Sequence, residues 1–365
     1  VSYSPEPQFE GMCLLPLPLA SAASAERPVD AAANTARPIS NAHSRALHLL
    51  VLQRRADGAE ALLSSVLIEW RKVLQVGRCT LAVELPGVGA LSQLPVGSVE
   101  MRLELVEPSA LAKPHTPLTE PMLQAQLHAE RASEVSAERA FLAYARTWWA
   151  DYLRLRDSHR QRPVKLFAMS ELGVQRPVTA FISPMDAGRL LDSPLAAAHF
   201  VSLIGFERST AERLDTWHTA HSTLARKRGD AEEHALLLCS LLLGFGLDAY
   251  VCLGADANGP HAWVMTRRSY EREGGLTFWE SLTGERFDVS LRGEAVEAAA
   301  KATMPFKSVA CIFSACSLYA NVQPETALGS CQLVLDDETL WKRMDPAKLR
   351  ALTPLPQGCL SPPAL

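Results

Sequence analysis

Alternation of apolar and polar residues dominates the first hundred positions and predicts short antiparallel strands. Residues 99–105 alternate strictly, as a half-buried strand does. Residues 47–52 and 79–84 are short and rich in β-forming side chains, while residues 62–70 fit a strand or a helix equally well. Residues 20–44 are small and polar and indicate a long loop. The pattern favours an antiparallel β-sandwich over residues 1–110.

Helical spacing replaces alternation over residues 115–160. Thr119, Glu120 and Pro121 supply a capping hydroxyl, an acid in the first turn, and a proline where the missing N–H costs little. One aromatic face then recurs at helical spacing, formed by Phe141, Ala145, Trp148, Trp149 and Tyr152. Such a stripe usually packs in a core. We therefore predict a connecting helix that packs on the following domain, with a solvated charged stretch at residues 130–139.

Residues 163–350 mix helical and strand periods. Residues 164–168 and 177–182 indicate two strands around a turn at Gly173. Further helices are predicted at residues 193–204 and 231–243, followed by strands at 249–253, 262–266 and 276–280. Helices followed by antiparallel strands predict an α+β domain. The last segment, residues 351–365, is predicted to be a tail.

Composition and charge exclude several classes of protein. The chain has 365 residues, of which 48% are hydrophobic, so it is long enough for two to three domains with a large core. The formal net charge of −4 gives no overall attraction for nucleic acid. The longest apolar run, residues 235–247, is shorter than the roughly 20 residues that a membrane span needs. These features predict neither nucleic-acid binding nor integral membrane association.

The cysteine pattern favours reduced thiols over a metal centre. No pair has C-x-x-C spacing, which argues against a zinc ribbon or a thioredoxin-like motif. His218 and His221 are three residues apart, but no further ligand follows at suitable spacing, so a loop or cap role is favoured. We predict no metal and no cofactor. The eight cysteines are Cys13, Cys79, Cys239, Cys252, Cys311, Cys316, Cys331 and Cys359.

Three blocks carry residues typical of nucleophilic catalysis: residues 229–235, 260–265 and 278–284. The first block opens the most apolar helix, where the positive end of the helix dipole would lower the pKa of a cysteine thiol. His261 begins one strand and Glu280 ends the next. Because neighbouring antiparallel strands can bring these side chains into hydrogen-bond reach, they form a candidate base and its orienting carboxylate.

The three blocks resemble the Cys, His and Asp boxes of the transglutaminase-like (papain-like) fold, whose first box is G-x-C-x-[DE]-x-A. The chain also resembles the 76-kilodalton centrosomal protein family, which joins a C2-like β-sandwich to a transglutaminase-like domain. The matching strings cover nearly the whole chain and are residues 6–11, 68–71, 83–89, 148–149, 187–192, 238–244, 261–266, 278–284 and 341. The resemblance implies an α+β multidomain protein of centrioles, basal bodies or cilia.

One departure from the family motif bears on activity. Ala231 stands where the motif carries the cysteine nucleophile, and a methyl group cannot attack a carbonyl. Losing the nucleophile of a triad enzyme typically removes about 10⁶-fold of rate. Glu280 replaces the usual Asp and can still orient His261. Ala231, His261 and Glu280 are therefore interpreted as vestigial triad positions in an inactive domain.

Basic residues flank two of these blocks. Arg226, Lys227 and Arg228 precede the first helix, and Arg267 and Arg268 follow the strand of the histidine. If both sets border one groove, that groove suits an acidic extended peptide such as a glutamate-rich tubulin tail. Solvated loop charges are the alternative.

The predicted sandwich lacks the acids of a calcium site. Residues 1–108 contain only Asp30 and Asp57, whereas Ca²⁺ takes six to eight oxygen ligands. The sandwich is therefore interpreted as a protein-interaction module.

These observations and the resemblance lead to one hypothesis with two rivals. The favoured function is a catalytically inactive scaffold of the centriole, basal body or cilium, within the cytoplasm and cytoskeleton, that limits centriole duplication or helps to assemble ciliary microtubules. Its partners would be centriolar or axonemal proteins, including tubulin or microtubules. The first rival is a cysteine peptidase or amide-modifying enzyme acting on tubulin tails, with its nucleophile replaced. The second is a membrane-associated C2 protein.

Overall fold

A computed structural model describes residues 8–9, 11–15, 47–54, 58, 60–106, 119–207, 216–267, 275–289, 291–292, 295–296 and 304–352. Its N-terminal part contains two antiparallel strand pairs, as the alternation predicts. The elements are β1 (Leu47–Arg54), β2 (Glu60–Ile68), α1 (Val73–Val76), β3 (Arg78–Pro86), a 3-10 turn (Gly89–Leu91) and β4 (Pro95–Glu104). The ambiguous stretch 62–70 is thus a strand as far as Ile68. The predicted loop at residues 20–44 lies outside the described residues.

A single helix of 36 residues, α2 (Glu120–Leu155), follows within the predicted range. At about 1.5 Å per residue it is about 54 Å long. The predicted aromatic face is confirmed: Phe141, Trp148 and Tyr152 are buried against the second domain. The Trp148 indole donates a hydrogen bond to the carbonyl of Arg343, which fixes the helix to the end of that domain.

The described part of the second domain begins with short strands and three helices. They are β5 (Phe167–Ser170), β6 (Gln175–Pro177), α3 (Pro194–Ser202), β7 (Gly205–Phe206), β8 (Thr216–Trp217), α4 (Ala220–Arg226), β9 (Arg228–Gly229) and α5 (Ala231–Gly244). The predicted strand at residues 177–182 is wrong beyond Pro177, because Val178–Phe181 forms a 3-10 turn. The turn buries both Val178 and Phe181, three residues apart, which an alternating strand would place on opposite faces.

A seven-stranded antiparallel sheet forms the centre of this domain. Its spatial order is β13 (Arg286–Val289), β12 (Leu276–Trp279), β11 (Pro260–Arg267), β10 (Asp248–Ala255), β16 (Ser308–Ser314), β17 (Ser317–Asn321) and β18 (Trp341–Arg343). The strands predicted near residues 249–280 are confirmed, and the predicted α+β class is confirmed with them. A 3-10 turn after α2 (Asp157–Gln161), a short pair of β14 (Leu291–Arg292) with β15 (Ala295–Val296), and the helix α6 (Pro346–Leu352) complete the described elements.

Both faces of the sheet are covered by apolar side chains. Ala262 and Val264 of β11 belong to the core that includes α2, α3 and α5. Trp263 and Met265, which alternate with them, belong to a second core on the other face. Because α5 is enclosed by the sheet and its neighbouring helices, all its residues from Glu233 to Leu242 are buried, and it is apolar on every side.

Burial explains the cysteine pattern. The seven described cysteines are free, and four of them are buried: Cys239, Cys252, Cys311 and Cys331. Burial raises the pKa of all four thiols, to about 11 for Cys331 and about 12 for Cys311. Among the described residues, no group of three or more His, Cys, Asp and Glu is arranged to hold a metal ion. No described helix is both long and apolar enough to cross a bilayer.

The two domains meet at close range. Arg71, only 4% exposed, forms ion pairs with Glu69 at 2.7 Å and with Glu130 of α2 at 2.8 Å. The N–H of Gly89 donates to the carbonyl of Glu171 across the interface. At Gly173, whose φ is +73°, an added Cβ would lie 1.9 Å from the Ser92 hydroxyl. The approach of the two domains therefore requires glycine at this position.

Candidate functional site

The site is built around the first turn of α5. Asp230 caps the helix by accepting a hydrogen bond from the N–H of Glu233 at 2.9 Å, and the Glu233 carboxylate accepts one from the N–H of Asp230 at 3.2 Å. This reciprocal cap satisfies N–H groups that lack partners within the helix. Ala231 is the first helical residue. A methyl group thus occupies the position where the helix dipole would best stabilise a thiolate.

His261 and Glu280 lie together on neighbouring strands. The Nε2 atom of His261 is 2.7 Å from Glu280 Oε2, and the two side chains are 9% and 8% exposed. The other carboxylate oxygen of Glu280 accepts a hydrogen bond from the N–H of Leu282 at 3.1 Å. The turn after β12 therefore holds the carboxylate, and the carboxylate in turn orients the imidazole.

Opposing effects set the pKa of His261. Burial lowers it, but the hydrogen bond and the negative charge of Glu280, together with the charges of Asp256 and Glu232, outweigh burial and raise the pKa above its ordinary value. Glu232 belongs to the first turn of α5. The start of this helix therefore lies within electrostatic range of the imidazole.

The imidazole lies on the side of β11 that faces away from the body of α5. Its ring stacks with Trp263 at 6.3 Å and with Phe306 at 6.2 Å between centroids. Ala262, the next residue along the strand, packs on the side of α5. Trp263 and Trp279 are 0% and 4% exposed, so both belong to the core.

The pair of His261 and Glu280 has the geometry of a base and its orienting group, and neither Cys239 nor Cys252, among the described cysteines, offers it an accessible thiol. Cys239 lies two helical turns beyond Ala231 and is fully buried. Cys252 pairs with Trp263 across β10 and β11, two residue pairs along the ladder from His261, and it is fully buried as well. Because burial holds its pKa well above the ordinary value, the Cys252 thiol stays protonated at neutral pH.

Part of the predicted basic groove is wrong. Arg226 is 6% exposed and pairs with Glu207 at 2.7 Å and with the buried Glu233 at 3.4 Å, so these two carboxylates neutralise its charge within the domain. Arg267 pairs with Asp248 at 2.7 Å and Asp336 at 3.2 Å.

The two basic sets also lie apart. Lys227 and Arg228 are exposed just before α5, whereas Arg267 is paired in the ladder with Asp248, which follows the end of that helix. The 14 residues of α5 separate these ends by about 21 Å. Arg268 lies outside the described residues. Among the predicted basic residues that the structure describes, Lys227 and Arg228 are exposed beside the first turn of α5.

The histidines near this turn have structural partners. His218 contacts the carboxylate of Glu233. The ring nitrogens of His234 lie 2.6 Å from the carbonyl of Asp230 and 3.1 Å from that of Ile204. These contacts agree with the favoured loop or cap role of His218. Glu233 is the centre of this network and is not among the predicted site residues, although the spacing of Asp230 and Glu233 is that of a capping box.

Burial and charge act against each other at Glu233. Burial raises the pKa of its carboxyl, but His218 and Arg226 outweigh that effect and hold the pKa below the ordinary value. An ionised, almost completely buried carboxylate therefore ties α4 to the first turn of α5.

Comparison with known proteins agrees with this architecture. The family models described as CEP76 C2 domain and CEP76 peptidase-like domain match residues 1–110 and 215–344. Centrosomal protein of 76 kDa from Homo sapiens is 39% identical over 334 residues, covering 86% of this chain and 50% of the relative. The Xenopus laevis protein of that name is 40% identical over 334 residues, covering 86% and 49%. The chain thus spans about half the length of the curated relatives it matches.

Proposed function

This chain belongs to the centrosomal protein of 76 kDa family, and we propose that it acts there as a non-enzymatic scaffold of the centrosome. The scaffold would serve the centriole, the basal body or the cilium through contacts with centriolar or axonemal proteins. Control of centriole duplication is the process we assign to it. The C2 domain and the peptidase-like domain would both present binding surfaces rather than chemistry.

The observation that carries the proposal is Ala231 at the start of α5. The same domain has the hydrogen-bonded pair of His261 and Glu280, which would be the base and its orienter, whereas an alanine stands where the resemblance places the nucleophile. Four cysteines are buried with raised pKa values, so none of these four is a substitute. Retention of this buried pair without a nucleophile fits a structural role for it.

The test of inactivity compares the purified chain with its Ala231→Cys variant. Both are incubated with tubulin carrying intact C-terminal tails and with a vinyl-sulfone probe, and the modified residues are mapped by mass spectrometry. We expect unchanged tubulin and no probe on any of the four buried cysteines of the unsubstituted chain. Cleaved or modified tails produced by the unsubstituted chain would refute the proposal.

The test of the scaffold role uses cells that lack the endogenous relative. These cells express the fluorescent full-length protein, either unchanged or with Glu280→Gln, and centriole number and centrosomal signal are counted. We expect both proteins to reach the centrosome and restore centriole number equally. A Glu280→Gln protein that is folded and localised but fails to restore centriole number would favour the enzyme.

A further inference from the structure

Within the described residues, the middle of the long helix α2 has no buried side chain. Its buried residues are Leu123 near the start and Phe141, Ala145, Trp148 and Tyr152 toward the end, so none lies between Leu123 and Phe141. The intervening stretch is about 26 Å long at the helical rise. The ion pair of Glu130 with Arg71 anchors one side of it. The remaining sides of this stretch are available to a partner.

One face of this helix forms a row of basic and aliphatic residues, which we call the basic row. Its members follow one another in steps of three or four residues, which places them on one side of a helix. They are His128, Arg131, Val135, Arg139, Leu142 and Arg146. All six are exposed, including Val135 at 44% and Leu142 at 40%. The row extends over five turns, about 27 Å.

The charges of the basic row are not neutralised within the helix. Arg139 and Arg146 have no acidic residue three or four positions away in either direction. No ion pair joins Arg131, Arg139 or Arg146 to another residue of the described ranges. The glutamates of this stretch follow a separate row at steps of four, Glu130, Glu134 and Glu138. The basic row therefore presents three exposed arginines, separated by Val135 and Leu142, on a chain whose net charge is negative.

The shape of this face suits a second helix. Val135 and Leu142 are seven residues apart, the spacing at which one helix presents apolar side chains to a partner helix. A surface depression of about 410 Å³ is lined by residues of the same stretch, His128, Arg131, Ala132, Val135, Ser136 and Arg139. Small and aliphatic side chains between arginines thus leave room for the side chains of a partner.

We propose that the basic row binds an acidic amphipathic helix of a partner protein. Aliphatic side chains of that helix would pack on Val135 and Leu142, and its glutamates or aspartates would pair with the flanking arginines. A second copy of this chain is a poorer occupant, because pairing the row with itself sets arginine against arginine. The proposal does not depend on whether the peptidase-like domain is inactive.

The test uses the full chain and a designed helical peptide of about 28 residues, four heptads, with leucine at the core positions and glutamate beside them. A matched peptide carries lysine in place of each glutamate. Binding is measured by fluorescence anisotropy for the chain, for Arg139→Glu/Arg146→Glu, and for Arg154→Glu. Arg154 is the control, because it lies on the same helix, 79% exposed, outside the basic row.

The chain should bind the glutamate peptide at least about tenfold more tightly than the lysine peptide, and the double variant should reverse this order. The Arg154→Glu variant should behave as the unsubstituted chain. Equal binding to the two peptides, or no binding of either, would overturn the proposal. A concentration-dependent dimer that Arg139→Glu/Arg146→Glu abolishes would also overturn it, since the occupant would then be a second copy.

Discussion

Replacing Glu280 by glutamine should change how the stability of the protein depends on pH. The substitution keeps the size of the side chain but removes the charge that faces His261 at 2.7 Å. A hydrogen bond to a charged group contributes about 1.5–3 kcal/mol net, and both side chains are less than a tenth exposed, so solvent screens the pair little. Because glutamine can still accept a hydrogen bond, we expect a loss of about 1–2 kcal/mol.

The sign follows from the direction of the pKa shift. The pKa of His261 is raised above its ordinary value of 6.5 in the folded state. The stabilisation of the imidazolium is therefore complete below the unfolded pKa, and it disappears as the pH rises through the folded pKa. The difference between the unsubstituted chain and Glu280→Gln should be largest near about pH 5.5 and smallest near about pH 8.5.

Chemical denaturation of both proteins at the two pH values measures this difference. An NMR titration of the His261 ring should show a lower pKa in the variant. Glu285→Gln is the matched control, because Glu285 is exposed in the same turn and does not contact the imidazole. A stability difference that stays constant with pH, or grows toward high pH, would refute the argument.

Three further predictions concern the domain interface and the cysteines. Arg71→Ala should lower the free energy of unfolding by about 1–3 kcal/mol, because it leaves two partly buried carboxylates without their partner. The control is Arg78→Ala, which removes an exposed ion pair with Glu104, and an equal loss for this variant would contradict the prediction. Gly173→Ala should lower the free energy of unfolding by about 3 kcal/mol or more. Gly246 has a similar positive φ but open space around it, so Gly246→Ala should lower it by about 1 kcal/mol in the same denaturation assay. A thiol reagent should modify the exposed Cys13 in the folded chain and reach the four buried cysteines only in denaturant; rapid labelling of those four in the folded chain would show that the core opens readily.

Local sequence pattern was sufficient for the elements that carry the site. The apolar run after Asp230 predicts α5 within one residue at each end. The strand patterns around His261 and Glu280 predict two strands that lie side by side in an antiparallel sheet. The helical spacing of Trp148 and Tyr152 likewise predicts which face of α2 is buried. Each of these predictions rests on the period of a single element, which the sequence records directly.

Predictions from residue chemistry were weaker where distant residues decide the environment. The run at residues 226–228 is basic in sequence, yet Glu207 and Glu233 enclose Arg226 while Lys227 and Arg228 remain exposed. The last strands of the sheet, from Ser308 to Arg343, were not predicted at all. Continuous apolar strands of this kind are buried on both faces, so their composition does not distinguish them from buried helix.

The sequence alone determined that an alanine begins α5 and that a histidine and a glutamate lie at adjoining strand ends. Only the tertiary structure decided which charges reach solvent, which thiols stay protonated, and that the imidazole shares its side of β11 with Trp263 rather than with α5. The physical reason is the separation along the chain of the residues that interact. Backbone periodicity acts between residues a few positions apart, whereas burial and ion pairing depend on groups that only folding brings together.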